Sequence, residues 1–282
     1  MSGLAGEFHR LADFLAAEGM IGSSEQYRSD AAAWAAFVRR CRGYDLIAPR
    51  CAGKRVLDIG CSLGHGARLL SAESRVVAID SGERALAAAA RIRASGNVRY
   101  LRADAFLLPF PDGAFEVVAA FHLIEHLPPP RVASFLKEAR RVTASGGEVI
   151  VSTPNRSFRL LPGQRPFNPE HRQEFTRRSL GRSLREAFGE VSVLGIRGGN
   201  RIEALERARL RRSPLRIYLR DPLASLVKCF VPGLRRRNRR LPAPESGAWA
   251  PGGGMGTRLD DYWADARHPE RGIDLLAVCR LG

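Results

Sequence analysis

A short apolar run that ends in glycines constrains this chain more than any other stretch. Residues 56–66 read Val-Leu-Asp-Ile-Gly-Cys-Ser-Leu-Gly-His-Gly. The apolar residues predict a buried strand, and the glycines predict a tight turn in which backbone can approach a ligand closely. Residues 67–70 then begin a helix. Such a unit places backbone amides at the carboxyl end of a strand, where open α/β sheets bind nucleotide-like ligands.

Further apolar runs alternate with helical patterns along the chain. Predicted strands lie at residues 54–60, 75–80, 97–101, 115–121, 148–153, 191–196 and 273–279. Predicted helices lie at residues 4–18, 30–42, 83–94, 128–142 and 176–188, with Thr176 as an N-cap. This βαβ alternation is typical of a parallel sheet in an α/β domain.

The composition is that of a globular protein. At 282 residues with 45% hydrophobic side chains, the chain can bury a large core. Its five cysteines are odd in number and form no CxxC pair, which disfavours a disulfide framework and favours a reducing compartment. The sequence shows neither a secretory signal pattern nor an apolar stretch of spanning length. It therefore predicts a cytoplasmic protein whose membrane contact, if any, is peripheral on the inner face.

The basic charge is concentrated in one segment. The formal net charge is +16, and residues 197–240 hold 14 basic and three acidic side chains, a net +11 of that total. Residues 221–231 predict an amphipathic helix between arginines, and residues 242–256 predict a mobile loop. Three interpretations follow, in order of preference: a lid or packing element, a contact with an anionic membrane surface, and a nucleic-acid surface. The scarcity of interleaved aromatic residues disfavours the last.

Three acids follow three successive predicted strands. Asp58, Asp80 and Asp104 would emerge along one carboxyl edge of a parallel sheet, where one extended ligand could contact them in turn. An acid after the second strand suits a ribose diol, because one carboxylate can accept from both hydroxyls. A nicotinamide-binding domain shares this pattern, but Asp58 would repel a pyrophosphate and suits a cationic ligand instead.

These motifs, taken in order, resemble the class I S-adenosylmethionine-dependent methyltransferases, of the type 11 or ubiquinone-pathway O-methyltransferase kind. The matching stretches are residues 58–64, 76–80, 102–104, 115–121 and 147–155. The resemblance implies a doubly wound, seven-stranded, mostly parallel Rossmann-like sheet with an antiparallel last strand. It implies S-adenosyl-L-methionine as the cofactor, bound by Asp58, Gly60, Cys61, Gly64, Asp80, Ser81, Asp104, Ala105 and Phe121. Ser62 stands where the family usually has glycine, so it needs a tolerable backbone angle.

The stretch after the fourth strand lies where a methyl acceptor would sit. Residues 121–127 read Phe-His-Leu-Ile-Glu-His-Leu, and a histidine of near-neutral pKa can weaken the hold of a hydroxyl on its proton. Some relatives use an ExxEH motif and a distant histidine here to hold a divalent metal. His122 replaces the first glutamate of that motif, which disfavours a metal. The candidate catalytic residues are His122, Glu125, His126 and His171, with a structural role for Glu125 and His126 as the alternative.

These interpretations give one catalytic domain with two additions. Residues 1–50 form a helical cover, residues 51–196 and 272–282 form the methyltransferase domain, and residues 197–271 form a basic insertion. The segment at residues 168–176 resembles one in methyltransferases of polysaccharide and glycolipid biosynthesis. The predicted reaction is O-methylation of a sugar-containing or lipid-linked small acceptor. An RNA methyltransferase that uses the insertion, and a non-catalytic binding protein that keeps the fold, are the alternatives.

Overall fold

The computed structural model describes residues 2–17, 31–92, 97–160, 164, 166, 168, 170–210 and 257–282. The amphipathic helix and the loop predicted at residues 221–231 and 242–256 lie outside these ranges. Over the described ranges, the strands form one sheet, and two hydrophobic clusters on its opposite faces are covered by helices.

The sheet is mostly parallel. Its described strands are β1 (Arg55–Ile59), β2 (Arg75–Asp80), β3 (Val98–Arg102), β4 (Phe115–Phe121), β5 (Thr143–Pro154), β6 (Glu190–Gly198), β7 (Tyr262–Asp265) and β8 (Asp274–Arg280). They lie in the order β3-β2-β1-β4-β5-β8-β6-β7. Strands β1 to β5 pair in parallel, whereas β8 runs antiparallel to β5 and to β6, and β7 runs antiparallel to β6. The predicted α/β fold with an antiparallel last strand is confirmed.

The described sheet has eight strands, one more than predicted. The additional strand, β7, lies within the segment that was assigned to the basic insertion, and it pairs with β6 at the edge of the sheet. It is only four residues long, with Tyr262 buried and Trp263 exposed, so hydrophobic periodicity could not reveal it. The Tyr262 hydroxyl donates to the carbonyl oxygen of Ala35 at 2.7 Å. This part of the segment is therefore integral to the folded domain.

The helices place apolar faces against the sheet. Those described are α1 (Ser2–Ala17), α2 (Ala31–Cys51), α3 (His65–Leu70), α4 (Glu83–Arg91), α5 (Val132–Val142), α6 (Arg156–Arg159), α7 (Arg177–Phe188) and α8 (Asn200–Leu210). Thr176 caps α7 as predicted, because its hydroxyl accepts a bond from the amide of Ser179. Among these helices, none combines the length and the apolar character that crossing a bilayer requires.

Helix α2 is longer than its sequence predicts. The predicted helix ends at Arg42, directly before Gly43, a residue type common at helix ends, but the helix continues to Cys51. Gly43 instead allows close packing: a Cβ atom there would lie 2.8 Å from Cε1 of Phe121. Tertiary contact thus overrides local helix propensity. The additional turns bring Tyr44 beneath the glycine loop.

One buried cation joins three parts of the chain. Arg39 of α2 donates from Nε to Oδ2 of Asp274 on β8 at 2.7 Å, and from Nη1 to Oε1 of Glu206 on α8 at 2.6 Å. All three side chains are buried. The helical cover, the last strand and the beginning of the basic segment are therefore held together by one set of ion pairs.

Arg39→Met is expected to lower the free energy of unfolding by about 3–5 kcal/mol, because two buried carboxylates lose their cation. Urea denaturation measures this loss. The matched control is Arg55→Met, since Arg55 pairs with Glu116 at 2.7 Å on the surface, where both side chains are exposed. Exposed ion pairs contribute little, so the control should unfold like the wild type. Losses of equal size in the two variants would show that the buried set has no special weight.

Candidate functional site

The loop after β1 adopts the left-handed backbone that its glycines allow. Gly60 and Gly64 have φ angles of 78° and 70°. Ser62, the residue that departs from the family pattern, has a φ of 48° and so adopts the left-handed conformation despite its side chain. Its amide donates to Oδ2 of Asp80 at 2.9 Å, which ties the loop to the end of β2.

A tyrosine from β3 occupies the space beside Gly64. A Cβ atom on Gly64 would lie 2.4 Å from the hydroxyl oxygen of Tyr100. Arg68 of α3 donates to this hydroxyl at 3.0 Å and to the carbonyl oxygen of Leu63 at 2.9 Å. Glycine is therefore required at position 64 for two reasons, its backbone angle and its lack of a side chain.

The predicted cofactor residues largely come together in one cleft at the carboxyl edge of β1, β2 and β3. The predicted residues that line it are Gly60, Asp80, Ser81, Asp104 and Ala105. Asp80 accepts from the amide of Gly82 through Oδ1 and from the loop through Oδ2, which fixes its orientation while each oxygen keeps a further lone pair. Asp104 accepts from the amide of Phe106 at 3.0 Å. This edge of the sheet therefore offers the carboxylates that a nucleoside ligand needs, and a glycine turn at which the backbone can come close to the ligand.

Asp58 lies beneath the loop and is fully buried. Tyr44 donates to its Oδ1 at 3.1 Å, and its Oδ2 receives no hydrogen bond from the described residues. Burial raises the pKa of Asp58 to about 7, against the lowering effect of the bond from Tyr44 and with a further rise from the charge of Asp80. A buried carboxylate oxygen without a donor fits a site that receives a cationic group.

Two other predicted cofactor residues are buried beside the cleft. Cys61 is almost fully buried, and burial raises the pKa of its thiol far above the usual range, so the thiol stays neutral. Phe121 does not line the cleft, because its ring stacks on Tyr44 at a centroid distance of 4.2 Å. Its side chain therefore supports α2 on the opposite side of β4 from Leu123, which does line the cleft.

His122 lies between two buried acids. Its Nδ1 is 3.4 Å from Oε1 of Glu125, and its Nε2 is 3.5 Å from Oδ2 of Asp274. Its φ of 52° is uncommon for a residue with a side chain and marks a constrained position directly after β4. Burial alone would raise the pKa of Asp274, but Arg39 and His122 outweigh it and lower that pKa. Each ring nitrogen of His122 thus faces a carboxylate, Nδ1 that of Glu125 and Nε2 that of Asp274.

The other three candidate catalytic residues form one cluster. Ligand atoms of Glu125, His126 and His171 all lie within 4.8 Å of one another, and the two histidine rings meet edge to face at 4.8 Å. His171 Nδ1 lies 3.0 Å from Oε1 of Glu174, an arrangement that orients the ring and leaves Nε2 for another partner. Burial lowers the pKa of His126, as does His171, while Glu125 acts in the opposite direction. The cluster could act on a proton or hold a divalent cation.

The loop that carries His171 is docked onto the cluster. The amide of Arg172 donates to the carbonyl oxygen of Glu125 at 2.8 Å. Thr153, at the end of β5, donates to Oε2 of Glu125 at 3.0 Å. Burial would raise the pKa of Glu125, but its contact with His122 outweighs this and lowers the pKa. The acid is thus fixed as a carboxylate at the centre of the cluster.

The residues that support these sites were not predicted from the sequence. Tyr44, Arg39 and Asp274 each contact a predicted site residue or its direct partner. The sequence does show that Asp274 is an acid at the start of the last strand. Because that strand runs antiparallel beside β5, its start lies at the same edge of the sheet as the cluster. Tyr44 and Arg39 gave no local signal, since their role depends on the path of α2.

Gly64→Ala is expected to destabilise the protein more than Gly146→Ala. Gly146 has nearly the same φ, 71°, but a Cβ atom there would meet nothing within 4 Å. The control therefore carries only the cost of a left-handed alanine, about 1–2 kcal/mol, and Gly64→Ala adds the clash with Tyr100. Urea denaturation of both variants measures the difference in their free energies of unfolding. Equal decreases would show that the Tyr100 side chain moves aside without cost.

Comparisons with known proteins agree with this geometry. Residues 56–147 match the family described as "Methyltransferase domain". The chain is 36% identical over 167 residues to a probable S-adenosylmethionine-dependent methyltransferase of Mycobacterium tuberculosis, covering 58% of this chain and 59% of the relative. It is 36% identical over 111 residues to the ubiquinone biosynthesis O-methyltransferase of Pseudomonas aeruginosa, covering 38% and 47%. The chain thus spans roughly half to three fifths of the length of these curated relatives.

A solved structure shares the fold. The S-adenosylmethionine-dependent methyltransferase of Thermotoga maritima, named as a possible histamine N-methyltransferase, superimposes with a TM-score of 0.57 at 16% identity, covering 98% of this chain and all of the other. At that identity the likeness concerns the fold alone. Together with the matched domain and the relatives, it confirms the predicted family and cofactor. The chain therefore contains a domain of the class I S-adenosylmethionine-dependent methyltransferase kind, matched over residues 56–147, with S-adenosylmethionine as the cofactor of that domain.

Proposed function

We propose that this protein transfers a methyl group from S-adenosylmethionine to a small acceptor. The observation that carries the proposal is the cleft at the carboxyl edge of β1 to β3, with Asp80 and Asp104 along it and Asp58 buried beneath its loop. When bound, the cofactor supplies a methyl group that a nucleophile can displace from a sulfonium. The residues of the chain would bind the ligand, orient it and exclude water from the reacting groups.

The acceptor atom we favour is an oxygen of a sugar-containing or lipid-linked molecule. An oxygen nucleophile needs help with its proton, and the histidine cluster lies just after β4, beside the cofactor cleft that Leu123 lines. One relative is named as an O-methyltransferase, whereas the Thermotoga protein is named as an N-methyltransferase. The fold does not decide between these acceptors, so the proposal depends on the side chains of the cluster.

Within the cluster, we assign His126 as the general base that accepts the proton of the acceptor hydroxyl. Its lowered pKa keeps the imidazole neutral around pH 7, as a general base must be. His122 is less suited to this task, because both of its ring nitrogens face carboxylates. His122 would instead position Glu125, and His171 would complete the pocket around the acceptor.

A divalent cation is an alternative agent at the same place. Glu125, His126 and His171 offer one carboxylate and two imidazoles, a donor set that suits a divalent transition metal, and Glu174 behind His171 is a typical outer partner. His122 lies outside this cluster, so its replacement of a glutamate does not remove any of the three ligand groups. A metal would lower the pKa of an acceptor hydroxyl directly, which makes its removal the discriminating experiment.

The basic segment at residues 197–240 suggests which larger partners the protein contacts. Its net charge of +11 over residues 197–240 supports peripheral contact with an anionic membrane surface, which fits a lipid-linked acceptor. The same charge supports RNA less well, since few aromatic residues accompany it. A binding protein that keeps the fold without catalysis is the remaining alternative, and only an activity measurement separates it from an enzyme.

Calorimetry with S-adenosylhomocysteine tests the cofactor site. The wild type is expected to bind it, and Asp80→Ala is expected to weaken binding by at least about tenfold, because a charge-assisted hydrogen bond to the ligand is lost. Asp112→Ala is the matched control, since this exposed acid pairs with Arg141 away from the cleft. Unchanged affinity in Asp80→Ala, or no binding by the wild type, would contradict the proposed function.

Methyl transfer from labelled cofactor into a fractionated cell extract tests the acceptor and the base. Label in polysaccharide or lipid supports the proposal, and label in RNA favours the nucleic-acid alternative. His126→Gln should reduce transfer by about 100-fold or more, the usual contribution of a general base. His268→Gln, a change in an exposed histidine next to Glu270, should leave transfer unchanged. Loss of transfer on chelation, with recovery on adding a divalent metal, would favour the metal alternative over a free His126 base.

A further inference from the structure

Tyr44 binds the acid that precedes the glycine loop. Its hydroxyl donates to Oδ1 of Asp58 at 3.1 Å, and both side chains are buried. Burial and the charge of Asp58 hold the pKa of the Tyr44 phenol well above its usual value, so the hydroxyl keeps its proton and acts as a donor. This contact brings a residue of the helical cover into the wall of the cofactor site.

The surroundings hold the Tyr44 ring in one position. The ring stacks on Phe121 with an interplanar angle of 22°. On the side of the loop, a Cβ atom on Gly66 would lie 2.1 Å from the ring carbon Cζ, so only glycine fits there. The ring is therefore packed between Phe121 and the first turn of α3, with its hydroxyl directed at Asp58.

The second oxygen of Asp58 has a different environment. Oδ2 is buried and accepts no hydrogen bond from the described part of the chain. Such an oxygen costs free energy when the carboxylate is ionised, unless a donor or a cation reaches it. Tyr44 therefore stabilises one half of the carboxylate, and the other half is left for a ligand.

We infer that Tyr44 is a positioning residue for the cofactor, which holds Asp58 in the orientation and the ionised form that the ammonium group of the cofactor requires. The inference rests on the proposed function, because it takes the amino-acid part of the cofactor to lie beside Asp58. It extends the cofactor site to α2, a helix that the sequence suggests is only a cover.

The arrangement makes affinity depend on pH. An ammonium group binds best to an ionised carboxylate, so at a pH below about 7 Asp58 must first lose a proton for the ligand to bind. Affinity should therefore rise as the pH rises through that pKa. Without the Tyr44 hydroxyl, the pKa of Asp58 is higher, and the rise in affinity moves to higher pH.

Other titratable groups near this pair do not produce the same signal. Those that contact or interact with Asp58 or Tyr44 are His65, Asp80, Cys41, Cys51 and Cys61. Burial raises the pKa of Cys51 to about 12 and that of Cys61 further still, so these two thiols stay neutral. His65, Asp80 and Cys41 are retained in every variant below, so their contribution is common to all of them.

The test is calorimetric titration of S-adenosylhomocysteine, which keeps the amino-acid part, into the full chain from about pH 6 to about pH 8.5. Tyr44→Phe keeps the ring and its packing. It should weaken binding roughly tenfold near pH 6, and the difference from the wild type should close towards the upper end. Asp58→Asn should remove the pH dependence that Tyr44→Phe shifts. Thermal unfolding of each variant verifies that it is folded.

Tyr100→Phe is the matched control. It removes a tyrosine hydroxyl beside the same loop, one that accepts a bond from Arg68, and it should leave the profile of the wild type in place. A Tyr44→Phe profile equal to that of the wild type, or weakened by one factor at every pH, would overturn the inference and leave the proposed function intact. A wild type that binds no S-adenosylhomocysteine would overturn both.

Discussion

The buried guanidinium of Arg39 is the interaction on which the two halves of the site depend. It binds Asp274 and Glu206 at once, so it fixes α2 against the last strand and against the helix that opens the basic segment. Removing three charges from water is costly, and the set is favourable only because its members lie within hydrogen-bonding distance. Helix α2 then carries Tyr44 to Asp58 on the cofactor side, while Asp274 faces His122 on the acceptor side. One ion set thereby sets the relative position of both halves.

Local patterns predicted the parts of this fold that local physics decides. β4 is buried throughout most of its length and was predicted, with the observed bounds, from a run that is apolar except for Glu116. The loop after β1 follows from its glycines, and Ser62 shows that one non-glycine residue tolerates the left-handed backbone when its amide has a partner. The end of α2 could not be predicted, because Gly43 terminates a helix by local rules and here serves contact with Phe121. Pairs 167 and 235 residues apart in sequence, such as those of Arg39, leave no local trace at all.

The candidate site divides in the same way. The residue types after β4 indicated acceptor chemistry, and the sheet edge brought Glu125, His126 and His171 together. The direction of His122 was not predictable, since it depends on a φ of 52° and on an acid from the last strand. Its side chain therefore links the ion set of Arg39 to Glu125 of the cluster. A sequence pattern can thus place a residue near a site without revealing which neighbouring networks it joins.

Some buried carboxylate oxygens of the site have no hydrogen-bond donor among the described residues, which costs the folded protein free energy. Four carboxylate oxygens around this sheet edge are buried and accept no hydrogen bond from the residues that the structure describes: Oδ2 of Asp58, Oε1 of Glu125, Oε2 of Glu174 and Oδ1 of Asp274. Buried polar atoms are nearly always paired in folded proteins, so the four together are informative. Each belongs to an acid whose other oxygen has a partner, which is Tyr44, Thr153, His171 and Arg39 in turn. For Asp58, whose Oδ1 is already held by Tyr44, a ligand that brings a donor or a cation to Oδ2 would complete the environment of the carboxylate.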